Sequence, residues 1–277
     1  MKLQTKLHNS QDSIAKSNNK NVSGWEFIAQ KWHLVKWPRK PSMRDIQKLQ
    51  PLIEENSSPV GIFGATPEYR FALASFKPAC NVFLLDNSYL SYKIMTNILK
   101  KDFKIFPKSE FFIRCDWNDI GTVIPKKTFG FLMGDTILPY LQTKEKLSNF
   151  LYNCYQILTP GGKFILREFI KGKLNYSPKE IRHLPFSPDI KRWCYIFAKN
   201  FAVSDNIFYE EKLIKNLLKI GDVKVYKTCA DPPRTRLLLN QNDFIQTVYS
   251  SGFKIEILEP PNLSPYPTPG LFLLTKR

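Results

Sequence analysis

The chain is 277 residues long, 43% hydrophobic and 14% aromatic, and its 41 Lys and Arg against 24 Asp and Glu give a formal net charge of +17. That composition excludes an intrinsically disordered protein, and no stretch approaches the roughly 18 consecutive apolar residues of a membrane-spanning helix. The opening MKLQTKLHNSQDSIAKSNNKN lacks the apolar stretch of a secretory signal, so a cytoplasmic protein without a membrane partner is expected.

Residues 1–23 are polar and without periodicity and read as a flexible basic tail; residues 24–277 read as one domain, with a lead-in over 24–56. Trp25, Trp32 and Trp37 crowd this lead-in, and Ser42 is placed to cap a helix from Met43 to about Ile53, with Asp45 completing a capping box. Strand Val60–Phe63, closed by Gly64, is followed by a helix from Pro67 to about Phe76. Strand Asn81–Leu85 is closed by Asp86, and Ser91–Lys101 reads as a helix. Strand Phe111–Cys115 is closed by Asp116, and strand Phe129–Met133 by Gly134-Asp135. Leu147, Phe150, Leu151, Cys154, Tyr155 and Leu158 recur along one helical face, which Thr159-Pro160-Gly161-Gly162 stops before a strand at Lys163–Phe169. Such alternation indicates a parallel sheet with helices on both faces. Residues 171–240 fit no crossover and read as a lid-like insertion with helices at Pro188–Phe201 and Glu210–Ile220. After a helix at Asp243–Ser250, Phe253–Leu258 and Leu271–Thr275 are strands joined by a linker with five prolines, most simply an antiparallel pair.

Cys80, Cys115, Cys154, Cys194 and Cys229 lie 35 to 40 residues apart without a CxxC pair, which fits reduced buried thiols rather than a zinc site or a disulfide framework. With only His8, His33 and His183 as histidines, no metal is expected. Residues 1–44 carry a net +7, a field that attracts anionic partners such as nucleic acid or acidic metabolites, although no RGG run, RNA-binding aromatic signature or zinc knuckle accompanies it.

Ligands of open α/β sheets bind beyond the carboxyl ends of the strands, where Gly64, Asp86, Asp116, Gly134 and Asp135 all fall. In Gly64-Ala65-Thr66-Pro67-Glu68, glycine permits a sharp turn, Thr66 is placed as N-cap, and Glu68 stands in the first helical turn. The dinucleotide pattern GxGxxG is absent, and Glu68 would repel a pyrophosphate at the helix start. Asp86, 22 residues after Gly64, is spaced to accept hydrogen bonds from ribose hydroxyls. A nucleoside carrying positive charge suits both features.

Val60-Gly-Ile-Phe-Gly-Ala-Thr-Pro-Glu68, Val82-Phe-Leu-Leu-Asp-Asn-Ser88, Cys115-Asp-Trp117 and Leu158-Thr-Pro-Gly-Gly-Lys-Phe-Ile-Leu166 resemble class I S-adenosylmethionine-dependent methyltransferases over about residues 40–170 and the closing hairpin. The resemblance implies a Rossmann-like three-layer sandwich whose seven-stranded, mostly parallel sheet ends in a C-terminal antiparallel hairpin. It implies S-adenosyl-L-methionine as cofactor. Gly64, Ala65 and Thr66 would pass under its methionine portion, Asp86 would bind ribose and Asn87 would lie beside adenine. Asp116 would hold the adenine amino group, Trp117 would cover the ring, and Gly134 and Asp135 would border the methyl group. The sequence departs from the family at Ile62, where an acidic residue is usual, and at Thr66, where a second glycine is usual; Glu68 or Arg39 would then take the amino-acid end.

Asp135 and His183 are the candidate proton acceptors, with Glu168 behind them. Substrate choice is expected to reside in residues 24–42 and 171–240, which carry Trp25, Trp32, Trp37, Arg39, Arg182, Trp193, Arg234 and Arg236. The last two arginines suit a carboxylate or phosphate as readily as a solvated loop. The expected activity is methylation of a small molecule or metabolite. Methylation of RNA or protein, and a non-catalytic S-adenosylmethionine-binding module, are the alternatives. Polyamine synthases share the fold class, but the acid-rich pocket they typically display is not evident.

Overall fold

The computed structural model describes residues 26, 29–56, 59–172, 174, 176–198, 201–204, 206–227, 229 and 233–277. The basic tail expected at 1–23, and Trp25, lie outside these residues.

Helix α1 (Met43–Glu55) opens with the expected reciprocal cap: the Ser42 hydroxyl accepts the Asp45 N–H at 3.2 Å and the Asp45 carboxylate accepts the Ser42 N–H at 2.7 Å. There follow β1 (Val60–Phe63), α2 (Pro67–Phe76), β2 (Asn81–Asp86), α3 (Tyr89–Ile98), β3 (Ser109–Arg114), α4 (Ile120–Val123), β4 (Phe129–Asp135), α5 (Leu138–Leu141), α6 (Lys144–Ile157) and β5 (Leu158–Glu168). Helix α3 starts two residues before the expected Ser91, because the Ser88 hydroxyl caps it by accepting the Ser91 N–H at 3.1 Å; a π turn at Leu99–Phe103 ends it. Leu158, expected on the face of α6, is instead the first residue of β5. It pairs with Phe129, whereas Phe131 already pairs with Lys163, so Thr159–Gly162 loop out of the ladder.

Helices α7 (Pro178–His183) and α8 (Pro188–Phe197), strands β6 (Val203–Ser204) and β7 (Ile207–Tyr209), helices α9 (Glu210–Ile220) and α10 (Val223–Tyr226) and strand β8 (Thr235–Leu237) form the insertion. The chain closes with α11 (Gln241–Ser250), β9 (Phe253–Glu259) and β10 (Gly270–Lys276).

The main sheet has seven strands in the order β3-β2-β1-β4-β5-β10-β9. The first five run parallel, and β10 is antiparallel to both β5 and β9, as the proline-rich linker requires. Alternation along β1 separates the two cores. Val60 and Ile62 pack with α1 and α2 through Ile46, Leu49 and Leu73, while Phe63 packs on the other face with Phe164 of β5 and Leu147 and Phe150 of α6. The insertion has a third core of its own, in which Tyr195, Phe208, Leu213 and Leu217 are buried around a small antiparallel sheet of β6, β7 and β8. That sheet is not legible in the sequence, because segments of two and three residues are too short to show alternation. Among the described residues no helix is long and apolar enough to cross a membrane.

Candidate functional site

The order of strands reverses between β1 and β4, so the crevice lies over their carboxyl ends. On the β1–β2 side, Gly64 turns the chain at φ 83°, and its N–H donates to Leu85 O at 2.9 Å. Thr66 occupies the N-cap of α2, but its hydroxyl makes no capping bond, contrary to expectation. Glu68, in the first turn, is buried. One carboxylate oxygen accepts the Trp32 indole N–H at 3.2 Å and lies 3.7 Å from Lys40 Nζ; the other has no hydrogen-bond partner among the described residues. Burial pushes the Glu68 carboxyl up to about 7, against the opposing pull of the helix backbone, Lys40 and the Trp32 N–H.

Asp86 is also buried and accepts the Ser88 N–H at 2.9 Å, while the Ser88 hydroxyl donates to Glu26 at 2.8 Å. The lead-in is therefore folded across both carboxylates. Ala65 is buried beneath it, and Asn87 is exposed, its carbonyl accepting Arg114 Nε at 3.1 Å.

The pair expected to hold adenine makes contacts within the protein. Asp116 is exposed, and its carboxylate accepts the Asn118 backbone N–H at 2.8 Å and the Asn118 side-chain amide at 3.0 Å, closing its own turn. The Trp117 indole N–H donates to Leu85 O at 2.7 Å, and its ring meets Phe63 edge-on at 5.9 Å, so it packs on the core. Gly134 makes room within the protein: a Cβ there would stand 2.4 Å from Ile137 Cδ1.

On the β4–β5 side, Asp135 and Arg167 form a buried ion pair at 2.7 Å. Arg167 also donates to the carbonyls of Pro38 and Lys40, and its Nε lies 3.6 Å from Asp45, so it ties the lead-in to the sheet. Burial raises the Asp135 carboxyl, and Arg167 works against that rise. Glu168 is sealed beneath, accepting the N–H groups of Ile137 and Leu138, and burial holds its carboxyl well above the usual range. It secures the start of α5 and does not stand in the crevice wall.

Between the lead-in, the end of β4, α5 and the insertion lies a crevice whose empty space, open solvent at its mouth included, is about 490 Å³. Asp135, Thr136, Tyr140, Arg39, Trp193 and Arg236 are in its wall. His183, the second expected proton acceptor, is exposed in the last turn of α7 and is not part of that wall. Of the residues singled out as substrate-selecting, Trp32, Arg39, Trp193 and Arg236 converge here. Arg192, Tyr140 and Arg167 were missed. Arg167 carried one faint signal, a cation inside an apolar strand, where burial demands a partner.

No family model and no curated protein matches the sequence. Solved structures do match its fold. A SAM-dependent methyltransferase from Methanosarcina mazei superposes with a TM-score of 0.52 at 12% identity, over 80% of this chain and 93% of that one. A protein from Rhodobacter sphaeroides provisionally named as a zinc-dependent alcohol dehydrogenase gives 0.53 at 15% identity, over 92% and 100%. A provisionally named O-methyltransferase from Nostoc punctiforme gives 0.50 at 10% identity, over 98% and 68%. At such identities the likeness establishes the Rossmann-like α/β fold with its closing antiparallel hairpin, and the differing names leave the chemistry to the site.

Proposed function

We propose that this protein is an S-adenosylmethionine-dependent methyltransferase acting on a small molecule. The observation that carries the reading is Glu68, a buried carboxylate with one unpartnered oxygen at the turn between a glycine-closed strand and an aspartate-tipped one. A buried acid in that state favours a cation, and the cofactor has cationic groups on a nucleoside. The names of the neighbours from Methanosarcina mazei and Nostoc punctiforme point the same way.

When bound, S-adenosylmethionine supplies a methyl group on a positively charged sulfur. The Gly64 turn gives the ligand room, Asp86 accepts from ribose hydroxyls, and Glu68 faces the cationic amino-acid end. Asp135 takes the acceptor's proton at a carboxylate oxygen, while Arg167 holds that carboxylate in place. The enclosed crevice orients the acceptor and excludes water. Because Glu68 and Asp86 are only 3% and 2% exposed, Trp32 and the Lys40 side chain move off Glu68 to admit the cofactor, while Arg167 keeps its hold on the Pro38 and Lys40 carbonyls. A crevice walled by Trp32, Tyr140, Phe169 and Trp193 suits a small acceptor better than a polynucleotide. The free cysteines, four of them buried, suit a reducing, cytoplasmic setting.

A second reading, a binding module without turnover, is favoured by Asp116 and Trp117, which are committed to the protein's own turn and core. Calorimetry with S-adenosylmethionine and S-adenosylhomocysteine, followed by labelled-methyl transfer to fractionated RNA, protein and metabolites, separates the two. Binding with label in the metabolite fraction is expected, and Asp86→Ala weakens binding by about 1–3 kcal/mol. Binding without label in any fraction establishes the module; no binding of either compound ends both readings.

A further inference from the structure

The crevice wall carries hydrogen-bond donors that the protein does not use. Arg192 and Trp193, adjacent on α8, are 6% and 8% exposed. Arg192 Nε, the Trp193 indole N–H and Arg236 Nε are all buried without a hydrogen-bond partner among the described residues. Unused buried donors are costly unless a ligand completes them. Three of the four charged groups in the wall are neutralised: Asp135 by Arg167 at 2.7 Å, Arg39 by Asp189 at 2.9 Å, and Arg192 by Glu210. Arg236 forms no ion pair among the described residues, and its guanidinium sits 5.7 Å above the Tyr140 ring. One positive charge is left over. Burial, and then the neighbouring Arg192, lower the affinity of Arg236 for its proton relative to an exposed arginine, apart from the opposing influence of Tyr140 and Glu210. Beside Thr136 and Tyr140 the wall carries flat aromatic surface, with Phe169 stacked on Trp193 at 4.3 Å and an interplanar angle of 12°.

We infer that this crevice recognises a small carboxylate with a flat apolar body, held by the Arg192 and Arg236 guanidiniums and the Trp193 N–H. A planar guanidinium matches a carboxylate's two oxygens, the single surplus charge matches a monoanion, and the aromatic wall covers the body. As the methyl-acceptor site the crevice rests on the function proposed above; as an anion site it stands without it.

Benzoate, its neutral counterpart benzamide, and phenyl phosphate are titrated into the full-length protein without cofactor, followed by calorimetry. Benzoate is expected to bind about tenfold more tightly than benzamide or better, and Arg236→Met to abolish that preference. Equal binding of benzoate and benzamide, or a preference that survives Arg236→Met, overturns the inference. Tighter binding of phenyl phosphate than benzoate overturns the carboxylate assignment. Should Arg236→Met fail to fold, phenylglyoxal labelling of the unmutated protein decides: benzoate, and not benzamide, slows modification of Arg236 and Arg192, and unchanged rates refute the site. Calorimetry with S-adenosylmethionine on the same sample distinguishes the two proposals. Loss of cofactor binding with benzoate binding intact sinks the methyltransferase alone, and the converse sinks the carboxylate site alone.

Discussion

Over β1 and β2 the sheet edge presents buried carboxylates, Glu68 and Asp86, whereas over β4 and β5 it presents guanidiniums, with Arg167 behind Asp135 and Arg192 and Arg236 facing them across the crevice. Both halves bury charge, but they satisfy it differently. Asp135 has a cation at 2.7 Å that opposes the effect of burial on its proton. Glu68 has Lys40 at 3.7 Å, the Trp32 N–H at 3.2 Å and one oxygen without a hydrogen-bond partner among the described residues, and its carboxyl has moved up to about 7. The first arrangement is a structural clamp. The second is poised for a cation to arrive, and the surplus charge of Arg236 is poised for an anion. On the function and the anion site proposed above, two ligands of opposite charge would meet over adjacent strand ends.

The comparison breaks most visibly at the clamp. Arg167→Leu leaves Asp135 buried without its cation, with the Thr136 hydroxyl at 3.3 Å still donating to it, and strips the Pro38 and Lys40 carbonyls of their donor; a loss of about 3–5 kcal/mol is expected in urea unfolding. Arg167→Leu combined with Asp135→Leu should recover much of it, since an uncharged pair carries no desolvation cost. A single-variant loss under about 1 kcal/mol would show that Arg167 does not hold the lead-in on the sheet.

The carboxylate half is read through pH. The Glu68 carboxyl is near 7 in the folded chain against an ordinary 4.5, so the folded state holds its proton more tightly between those values. Stability from this group is complete below about 4.5 and declines as pH rises through 7, by roughly 3 kcal/mol in all. Glu68→Gln should flatten that decline, seen as the difference between urea midpoints of the two proteins from pH 4.5 to 8. Parallel pH profiles would mean that Glu68 is already satisfied, and the cation argument would fail with them.

The sheet was legible because each strand is an apolar run ended by a residue of special chemistry: Gly64, Asp86 and Asp135. Pro67 at the first position of α2 and the face of Leu147, Phe150, Leu151 and Cys154 fixed two helices in the same way. Local signals of that kind stop at the site. Trp32 reaches Glu68 across 36 residues, and Arg167 reaches Pro38 across 129, so no spacing announces either contact. Asp116 shows the opposite failure. Its place after β3 reads as ligand-binding, yet one of its carboxylate oxygens, Oδ1, accepts both bonds of its own turn to Asn118. Position along the strand edge was readable; which side chain had a partner was not.

The smallest expected effect concerns two helix starts that look alike in sequence. Ser42 and Thr66 both precede helices, but only the Ser42 hydroxyl accepts a backbone N–H, that of Asp45, while the Ser42 N–H donates in return to the Asp45 carboxylate. Ser42→Ala should therefore cost about 1 kcal/mol in urea unfolding. Thr66→Val keeps the shape, removes only the hydroxyl and should stay within about 0.5 kcal/mol, since no cap is lost. At Thr66 the helix already begins with Pro67, whose missing N–H leaves one fewer donor to satisfy, and the next acidic side chain, Glu68, is turned inward to Trp32. The hydroxyl is thereby left out of the helix cap. If Thr66→Val costs as much as Ser42→Ala, the hydroxyl belongs to the helix, and the turn at Gly64 has one fewer group to offer a ligand.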